Sequence, residues 1–545
     1  MNKKKKICTV LAATAVFSMG MTATAFAEQG WTETDDGWKY YDEDGYQVTD
    51  EWKKSGDNWF YLDEDGNMVY EQIIEYDGDY YYVNEDGAMV KNEWIQMAND
   101  DDTDENDAVD VWYYFQNNGK AYVAGNNGTS FKTINGQKYA FDEEGKMLWG
   151  WVNDDSETCN SDTEWQNAIY YCGAEDDGAM KTGWQLIDVE EDREDLEKNK
   201  DDDDVMYYYF YFRANGKRVE NGTKTINGLK YSFDEYGAMD YEWTLASGST
   251  ATSSVATAAQ YKYYNYEDYG NRVKGWFYAI PSENINEDDY NDEVEHWYYA
   301  DGSGDLAYSE IKTINGKKYA FNEKGEMLYD LQALVLDPND SKKIIRSYHI
   351  EDENDMDAFI EQNPEYSGGD GTFDFTNSML FYFGEDSDDG AMKTGTMNLY
   401  FEGETYHYYF LKSGSYKGAA FGSKAGLKNK YDGTYTEGDE TESDSFIYDD
   451  KYIYREGRRK TADSDEKYAA FDAFGNEVTD PDEFENGTAY LVNTSGNIQK
   501  KKRNIKDRDG NYYCTNKDGI IIYYGTEKCN DHNSDVWHVY NEEED

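Results

Sequence analysis

The sequence predicts an all-β protein, a solenoid of stacked β-hairpins with acidic loop inserts and at most minor helix. Three observations lead to this fold class. A short aromatic phrase recurs along the chain, its turn glycines are evenly spaced, and 17% of the residues are aromatic although the net charge is −63. Disordered acidic chains lack such an aromatic content, so the rings must have a structural or binding role.

The recurring phrase is a pair of aromatic residues, one further residue, the turn sequence Asp/Asn-x-x-Gly, and then x-Met. The first three copies have their turn glycines at Gly45, Gly66 and Gly87, each 21 residues after the last. The same step returns at Gly216 to Gly237, Gly304 to Gly325 and Gly475 to Gly496, and looser copies centre on Gly119, Gly145, Gly178, Gly270, Gly390, Gly414 and Gly519. Such a period indicates a repeat architecture.

Each copy is interpreted as a β-hairpin whose first strand is the aromatic run and whose second strand begins at the methionine. Asp or Asn opens the turn by bonding its own backbone, and glycine takes the position that needs a positive φ, which predicts a type I turn with a glycine bulge. Side chains alternate along a strand, so Trp59 and Tyr61 project from one face and Phe60 from the other. One hairpin cannot bury both faces, and successive hairpins must therefore stack.

A longer period lies over the hairpins, because residues 132–141 return as near copies at 224–233 and 312–321. These copies indicate tandem duplication of a unit of several hairpins. Acidic segments are predicted to be loops at hairpin ends, and they lie at 100–110, 188–204 and 283–295. Calcium binding by these segments is the alternative, but no EF-hand loop pattern occurs and solvated charge is favoured.

Three segments are predicted to depart from the plain hairpin pattern. Residues 194–200 could form a short charged helix, and the Ser/Thr/Ala-rich residues 247–259 a hairpin tip. Residues 331–375 lack the repeat and contain a predicted helix around Asp355 to Gln362. Neither of the last two is long enough for an independent catalytic domain.

The N-terminal residues predict a secretory signal. Four lysines at 3–6 precede an apolar stretch and the small-x-small sequence Ala25-Phe26-Ala27, so cleavage is expected after Ala27. A retained membrane anchor is the alternative, but the stretch is short and diluted by polar residues. No later segment approaches the length of a membrane span. The predicted organisation is a signal peptide over 1–27, hairpin repeats over 28–330, a non-repeat insert over 331–380, degenerate hairpin repeats over 381–525 and an acidic tail over 526–545.

Charge and cysteine content limit the partners. Nucleic acid is excluded as a partner, because a phosphate backbone is bound by a basic surface and this chain is strongly acidic.

The cysteines that remain after cleavage predict two local disulfides outside the cell, each worth about 3 kcal/mol in the chain-entropy model. The predicted pairs are Cys159 with Cys172 and Cys514 with Cys529. Neither pair has enough further ligands nearby for zinc, so no metal and no cofactor are expected.

Several segments carry a family resemblance. The phrase Gly37-Trp38, the unit at 52–68 with its Trp-Phe-Tyr run and turn, and the sequence Gly-Ala-Met-Lys-Thr-Gly at 178–183 and 390–395 resemble cell-wall-binding repeats. That superfamily includes the choline-binding modules and glucan-binding repeats of Gram-positive surface proteins, and similar repeats occur in clostridial toxins. The resemblance covers most of residues 30–525.

The resemblance implies a groove between consecutive hairpins, in which two or three aromatic rings and a methionine hold a quaternary ammonium group or the face of a sugar. The matching residues are Trp52, Trp59, Tyr61 and Met68, followed by Trp94, Tyr80, Tyr82 and Met89. The negative charge favours a cation such as choline over an anionic polymer. The alternative is that these rings only fill the core.

The motifs of common hydrolases are missing from the sequence. There is no Gly-x-Ser-x-Gly and no His-Glu-x-x-His, and the close pair His532 and His538 is a weak zinc signal. We therefore predict a non-catalytic secreted surface protein that binds cell-wall polymer or glycan, through a choline-like or sugar-like ligand. Two alternatives stay open: an adhesin or structural surface fibre that uses the repeats as a spacer, and a wall hydrolase with a cryptic catalytic segment.

Overall fold

The computed structural model describes residues 29–99, 109–160, 164–190, 205–246, 257–266, 268–368, 371–423, 425, 445–484, 487–530 and 532. Their regular structure is almost entirely antiparallel β-strand, which confirms the predicted fold class. The predicted signal peptide, the helix expected at 194–200 and nearly all of the C-terminal tail beyond 530 lie outside these residues. Among the described residues, no helix is long and apolar enough to cross a membrane.

The chain forms two compact units. The first comprises the described residues up to 221 together with 234–238, and it is a series of two-stranded hairpins with one 3-10 helix, Glu164–Asn167. Its strands pair consecutively and are β1 (Gly30–Thr34), β2 (Gly37–Tyr41), β3 (Glu51–Ser55), β4 (Asn58–Leu62), β5 (Gln72–Tyr76), β6 (Asp79–Val83), β7 (Glu93–Ala98), β8 (Asp110–Phe115), β9 (Lys132–Ile134), β10 (Gln137–Tyr139), β11 (Trp151–Val152), β12 (Tyr170–Tyr171), β13 (Gly183–Glu190) and β14 (Val205–Phe212).

The second unit comprises residues 222–233 and the described residues from 239 onward. It begins with hairpins of the same kind, namely β15 (Gly222–Ile226), β16 (Leu229–Phe233), β17 (Glu242–Leu245), β18 (Tyr261–Tyr264), β19 (Gly275–Ala279), β20 (His296–Ala300), β21 (Glu310–Ile314) and β22 (Lys317–Phe321). Its helices are the 3-10 helix Ala258–Gln260, α1 (Glu287–Asn291), α2 (Glu353–Glu361) and α3 (Pro481–Phe484).

Beyond residue 330 the second unit contains larger sheets. The strands are β23 (Leu331–Asp337), β24 (Asp340–His349), β25 (Tyr366–Gly368), β26 (Gly371–Phe373), β27 (Met379–Tyr382), β28 (Gly395–Phe401), β29 (Glu404–Phe410), β30 (Ile447–Tyr448), β31 (Tyr452–Arg455), β32 (Arg458–Arg459), β33 (Tyr468–Phe471), β34 (Tyr490–Asn493), β35 (Ile505–Lys506), β36 (Tyr512–Thr515) and β37 (Ile521–Gly525). Two five-stranded sheets have the orders β22-β21-β24-β23-β27 and β28-β29-β32-β31-β30, and β35-β36-β37 form a three-stranded sheet.

The segments that break the repeat have more structure than predicted. The helix expected around Asp355 to Gln362 is present as α2, and its N-cap Asp352 accepts a hydrogen bond from the Asp355 N–H at 2.9 Å. The acidic segment 283–295, predicted as a loop, contains the short helix α1. The carboxylates in the first turn of α1 favour a helix there, because negative charges interact favourably with the positive N-terminal end of the helix dipole.

The turn glycines lie where the repeat predicts them. Gly45, Gly66 and Gly87 have φ values of 83°, 77° and 74°. The Gly66 N–H donates to the Asp63 carbonyl at 2.9 Å, and the Asp63 carboxylate accepts from the Asn67 N–H at 2.7 Å. The chain therefore reverses at each Asp/Asn-x-x-Gly sequence.

The strand pairing around these turns differs from the prediction. The aromatic run is the second strand of its hairpin, and a two-residue turn precedes it. In β5–β6 that turn is Asp77-Gly78, with φ values of 54° and 77°, as a type I′ turn requires. Met68 forms only an isolated bridge with Leu62, so the predicted second strand at the methionine is wrong. The stronger hairpin signal lies before the aromatic run.

The methionine joins consecutive hairpins instead. The Met68 N–H donates to the Trp38 carbonyl of the preceding hairpin at 2.9 Å. Its side chain lies against the turn of the following hairpin, where a Cβ on Gly87 would come within 3.1 Å of Met68 Cε. Glycine is thus required for close packing as well as for its φ. The same contact recurs at Met89–Gly119, Met147–Gly178, Met180–Gly216, Met239–Gly270, Met327–Gly390 and Met392–Gly418.

Neither predicted disulfide is present, since all four cysteines are free and buried. Cys159 packs in a core cluster with Trp151, whereas Cys172 packs in another with Val152. Trp151 and Val152 are neighbours in β11 and point to opposite faces, so the two thiols lie on opposite sides of the hairpin. Proximity in sequence could not reveal this.

The second cysteine pair does share one cluster, but its thiols form no disulfide. The Cys514 sulfur accepts a hydrogen bond from the Asn504 N–H at 3.3 Å, and the Asn504 side-chain oxygen accepts one from the Cys529 N–H at 2.7 Å. Burial raises the pKa of the Cys514 thiol to about 11.

Candidate functional site

The first aromatic groove, here called the Trp94 groove, is formed by Trp94, Tyr114 and Tyr139. Trp94 of β7 lies directly opposite Tyr114 of β8, and their ring centroids are 5.1 Å apart at an interplanar angle of 65°. Tyr139 belongs to the next hairpin and lies 4.9 Å from Trp94 at 67°. Phe141 stacks 5.9 Å from Trp94, and Met147 packs in the same cluster. All three groove rings are partly exposed.

The second, here called the Trp276 groove, is formed by Trp276, Tyr299 and Tyr319 with the same geometry. Trp276 lies opposite Tyr299 at 5.2 Å and 68°, and Tyr319 of the next hairpin lies 4.8 Å away at 69°. Phe321 is 5.7 Å from Trp276, and Met327 packs beside them. The two grooves belong to different units, so this arrangement is a property of the repeat and not of one local context.

Backbone bonds fix the spacing of the rings. The Met147 N–H donates to the Trp112 carbonyl at 2.7 Å, and the Met327 N–H donates to the Trp297 carbonyl at 2.8 Å. Each bond ties the hairpin that carries the third ring to the hairpin that carries the tryptophan. In the part of the chain that the structure describes, no ring contact joins the two tyrosines of either groove, which both stand edge-on to the tryptophan.

The two grooves differ in the side chains that flank their rings. The Tyr122 N–H donates to the Tyr114 carbonyl, and the Ala307 N–H donates to the Tyr299 carbonyl, so Tyr122 and Ala307 are equivalent. The Tyr122 ring stacks on Tyr114 at 5.8 Å, whereas alanine leaves that space free of a ring. At the Trp276 groove, the Trp297 indole N–H also donates to the exposed carboxylate of Asp388 at 3.2 Å.

A third set of rings, here called the Trp151 cluster, is closed by a cation of the chain itself. Trp151 lies opposite Tyr171 at 5.1 Å, and Phe210 supplies the ring from the next hairpin at 5.0 Å. The guanidinium of Arg218 lies over Trp151, 5.6 Å from its ring. Arg218 is 3% exposed and donates hydrogen bonds to the carbonyls of Trp165 and Gln166 and to the carboxylate of Glu220; burial lowers its pKa.

A fourth set is closed by a ring. Trp243 lies 5.1 Å from Tyr263 and 4.9 Å from Tyr298 of the next hairpin. Phe277 stands between the two tyrosines, stacked on Tyr263 at 4.4 Å and on Tyr298 at 5.3 Å. No room for a ligand is left between these tyrosines.

The first predicted groove is assembled only in part. Trp52 and Tyr61 do meet, at 5.1 Å, and the third ring is Tyr81, 5.3 Å from Trp52. Trp59 is 37% exposed and stands opposite Lys54, and among the described residues no ring contact joins it to Trp52. Met68 serves the contact between hairpins described above. Tyr61 is buried, and burial together with a hydrogen bond to Asp50 raises its pKa.

The second predicted set is not one site. Trp94 lies in its own groove, whereas Tyr80 and Tyr82 pack in a core cluster in which Tyr82 stacks on Phe115 at 5.9 Å. Met89 contacts the next turn. The groove residues that the sequence did not single out are Tyr81, Tyr114, Tyr139, Trp276, Tyr299 and Tyr319. Their sequence signal is a tryptophan in the first strand of a hairpin together with tyrosines in the last three positions of second strands.

Comparison with known proteins now assigns the repeats. Residues 29–69 and 50–94 match the choline-binding repeat family, and residues 106–121 match a putative cell wall binding repeat family. No curated protein matches the chain. These matches confirm the predicted resemblance to cell-wall-binding repeats. Within the chain, residues 29–94 carry repeats of the choline-binding family.

Several solved structures from Streptococcus pneumoniae are similar. The modular autolysin LytC aligns at 18% identity and TM-score 0.30, over 63% of this chain and 62% of that one. Choline binding protein F aligns at 20% identity and TM-score 0.25, over 56% of this chain and 100% of that one. CbpJ aligns at 19% identity and TM-score 0.24, over 55% and 99%. This chain therefore spans less than two thirds of the autolysin.

Proposed function

We propose that this protein is a cell-wall-associated surface protein that binds a quaternary ammonium group of the choline type, carried on a wall polymer, in the Trp276 and Trp94 grooves. We further propose that its role is binding and not catalysis. The solved choline-binding protein F and the matched repeat family support the ligand class, and the ring geometry supports the position.

The Trp151 cluster is the observation that carries this proposal. A tryptophan, a cross-strand aromatic ring and a ring from the next hairpin there surround a cation, the Arg218 guanidinium. The two grooves repeat this ring arrangement without a cation of the chain over the tryptophan, among the described residues. Ring faces carry partial negative charge, so each contact with a cation is worth about 0.5–2 kcal/mol.

The charge of the chain supports a cationic ligand. The net charge is −63, and Asp388 stands beside the Trp276 groove. A negative field concentrates cations at the surface and repels anionic polymers. A quaternary ammonium group also donates no hydrogen bonds, so aromatic walls without acceptors suffice to hold it.

Titration calorimetry of the mature chain with choline tests the proposal. The uncharged isostere 3,3-dimethyl-1-butanol and a soluble glucan are the parallel ligands. We expect binding of choline alone. Trp276→Ala, which removes one ring, should lower the affinity of the Trp276 groove about tenfold and leave the Trp94 groove unchanged. Tyr400→Ala is the control, because Tyr400 is 75% exposed and lies outside both grooves.

Other results would redirect the assignment. Equal binding of choline and its isostere would contradict a cation site, and binding of glucan alone would favour a sugar ligand. If the folded protein binds neither choline nor glucan, the result would favour the spacer function of an adhesin or surface fibre. Release of label from labelled peptidoglycan would contradict the non-catalytic role.

A further inference from the structure

The geometry points to a second site that is independent of the aromatic grooves: we propose that Asp289, His296 and Glu326 bind a divalent transition-metal ion such as Zn²⁺. One ligand atom from each residue lies within 4.8 Å of the other two. The His296 Nε2 is 2.9 Å from the Asp289 carboxylate. Glu326 is only 8% exposed.

Three separate segments converge on this site. Asp289 lies in α1, within the acidic segment that the sequence presented as a solvated loop. His296 is the first residue of β20. Glu326 lies in the turn after β22, where its N–H donates to the Asn322 side-chain oxygen at 2.9 Å. The fold therefore holds the three side chains together, although the sequence spacing shows no metal motif.

The site joins two carboxylates without a lysine or an arginine beside them. Within the described ranges, neither Asp289 nor Glu326 forms a salt bridge with a lysine or an arginine, and their polar neighbours are the His296 imidazole and two side-chain amides. The Asn286 side chain donates to both carboxylates, at 2.8 Å to Glu326, and the Asn322 side chain donates to Glu326 at 2.7 Å. Neutral donors do not cancel two negative charges in a partly buried place, whereas a divalent cation does.

A buried hydroxyl without a partner is the second observation. Tyr298 follows His296 by two residues in β20, so both side chains lie on the same face of the strand. Tyr298 is 0% exposed, and within the described part of the chain its hydroxyl has no hydrogen-bond partner. The Tyr298 ring lies beside the turn that carries Glu326, since a Cβ on Gly325 would come within 3.7 Å of Tyr298 Cδ1. A water molecule on a bound ion would satisfy this hydroxyl.

The donor set favours one class of ion. One imidazole nitrogen and two carboxylate oxygens suit Zn²⁺ and related first-row ions, while Ca²⁺ takes six or more oxygen ligands. A fourth position would remain for water. A bound ion would cross-link α1 and the turn that carries Glu326 to β20. The same strand carries Tyr299 of the Trp276 groove.

Equilibrium dialysis of the full mature chain with Zn²⁺, after treatment with a chelator, tests the site. We expect one Zn²⁺ held more than tenfold more tightly than any others, persistence in a large excess of Ca²⁺, and a visible absorption band when Co²⁺ is used. His296→Gln and Glu326→Gln should abolish the tight ion and the band. His349→Gln is the matched control, because His349 also lies near two carboxylates, Asp330 and Glu351.

Circular dichroism of the metal-free variants checks that they are folded. Asp289→Asn is a third variant, and because it lies on the partly exposed α1 it leaves the buried groups of the site unchanged. Tight Zn²⁺ binding that survives all three substitutions would overturn the proposal. Equal loss in His349→Gln, or complete displacement by Ca²⁺, would also overturn it, since either result means diffuse binding to an acidic surface. Choline binding by the metal-loaded wild type is measured in parallel, so that failure of the aromatic grooves is distinguished from failure of the metal site.

Discussion

The Trp94 groove and the Trp151 cluster are built on one plan and differ in what covers the tryptophan. Met147 and Arg218 occupy equivalent backbone positions. Each follows the turn after an aromatic strand and forms an isolated bridge with a phenylalanine, Phe141 or Phe212. Each also donates its N–H to a carbonyl of the preceding hairpin. Methionine packs beside the rings, whereas arginine sends its own cation over them. Stacking of hairpins thus surrounds a tryptophan with neighbouring rings in both places, and a single side chain decides whether the face of that tryptophan is open to a ligand.

The largest expected effect is on the closed cluster. Trp151 is 5% exposed and contacts Trp165, Tyr171, Phe210 and Phe212. Trp151→Ala should lower the free energy of unfolding by about 3–5 kcal/mol, because it leaves a large cavity, and should leave choline affinity unchanged. Urea unfolding and calorimetry measure the two quantities. A stability loss no greater than that of Trp94→Ala would mean that the two sets of rings do not differ in packing.

Removal of the internal cation should open the closed cluster. Arg218→Ala leaves the carbonyls of Trp165 and Gln166 without their donor, which we expect to cost about 2–3 kcal/mol. Choline at millimolar concentration should restore part of this stability in the variant and raise the melting temperature more than in the wild type. The isostere 3,3-dimethyl-1-butanol should not. Equal rescue by both compounds would contradict the role of charge at this position.

The turn under the Trp94 groove should respond to pH. Asp142 opens the turn between Tyr139 and Met147, and burial raises the pKa of its carboxyl to about 6. Because the folded pKa is raised, this group stabilises the fold at pH below about 4 and loses that contribution as pH rises through about 6. Asp142→Asn should remove about 1–2 kcal/mol of this decline, since asparagine already opens the equivalent turn at Asn84.

Unfolding of wild type and Asp142→Asn at pH 4 and pH 7 provides the measurement. The variant should be the more stable protein at pH 7, and the difference should vanish at pH 4. A constant difference at both values would show that the carboxyl does not titrate in this range.

The smallest expected effect concerns the difference between the two grooves. Tyr122→Ala gives the Trp94 groove the residue that the Trp276 groove has at Ala307. We expect choline affinity at this groove to change by only a few-fold, upward if the Tyr122 ring crowds the ligand. Calorimetry in a Trp276→Ala background isolates the site. A fall in affinity would show instead that Tyr122 is a wall of the groove.

The sequence predicted turns better than pairings. The glycines at 45, 66 and 87 have the predicted positive φ, because a local rule of backbone sterics requires them. The second strand at Met68 and the disulfide from Cys159 to Cys172 were wrong, because both depend on which face of a neighbouring strand a side chain meets. Spacing along the chain carries no information about that face.

The sequence alone determined the repeat, the all-β class, the turn positions and the family resemblance, since each follows from local residue patterns and from the need of a lone hairpin to bury its rings against another. Only the tertiary structure decided which rings meet. A groove takes its rings from two hairpins, so Trp94 finds Tyr139 through the stacking step and not through proximity in sequence. The same stacking placed Arg218 over Trp151 and brought His296 to Glu326.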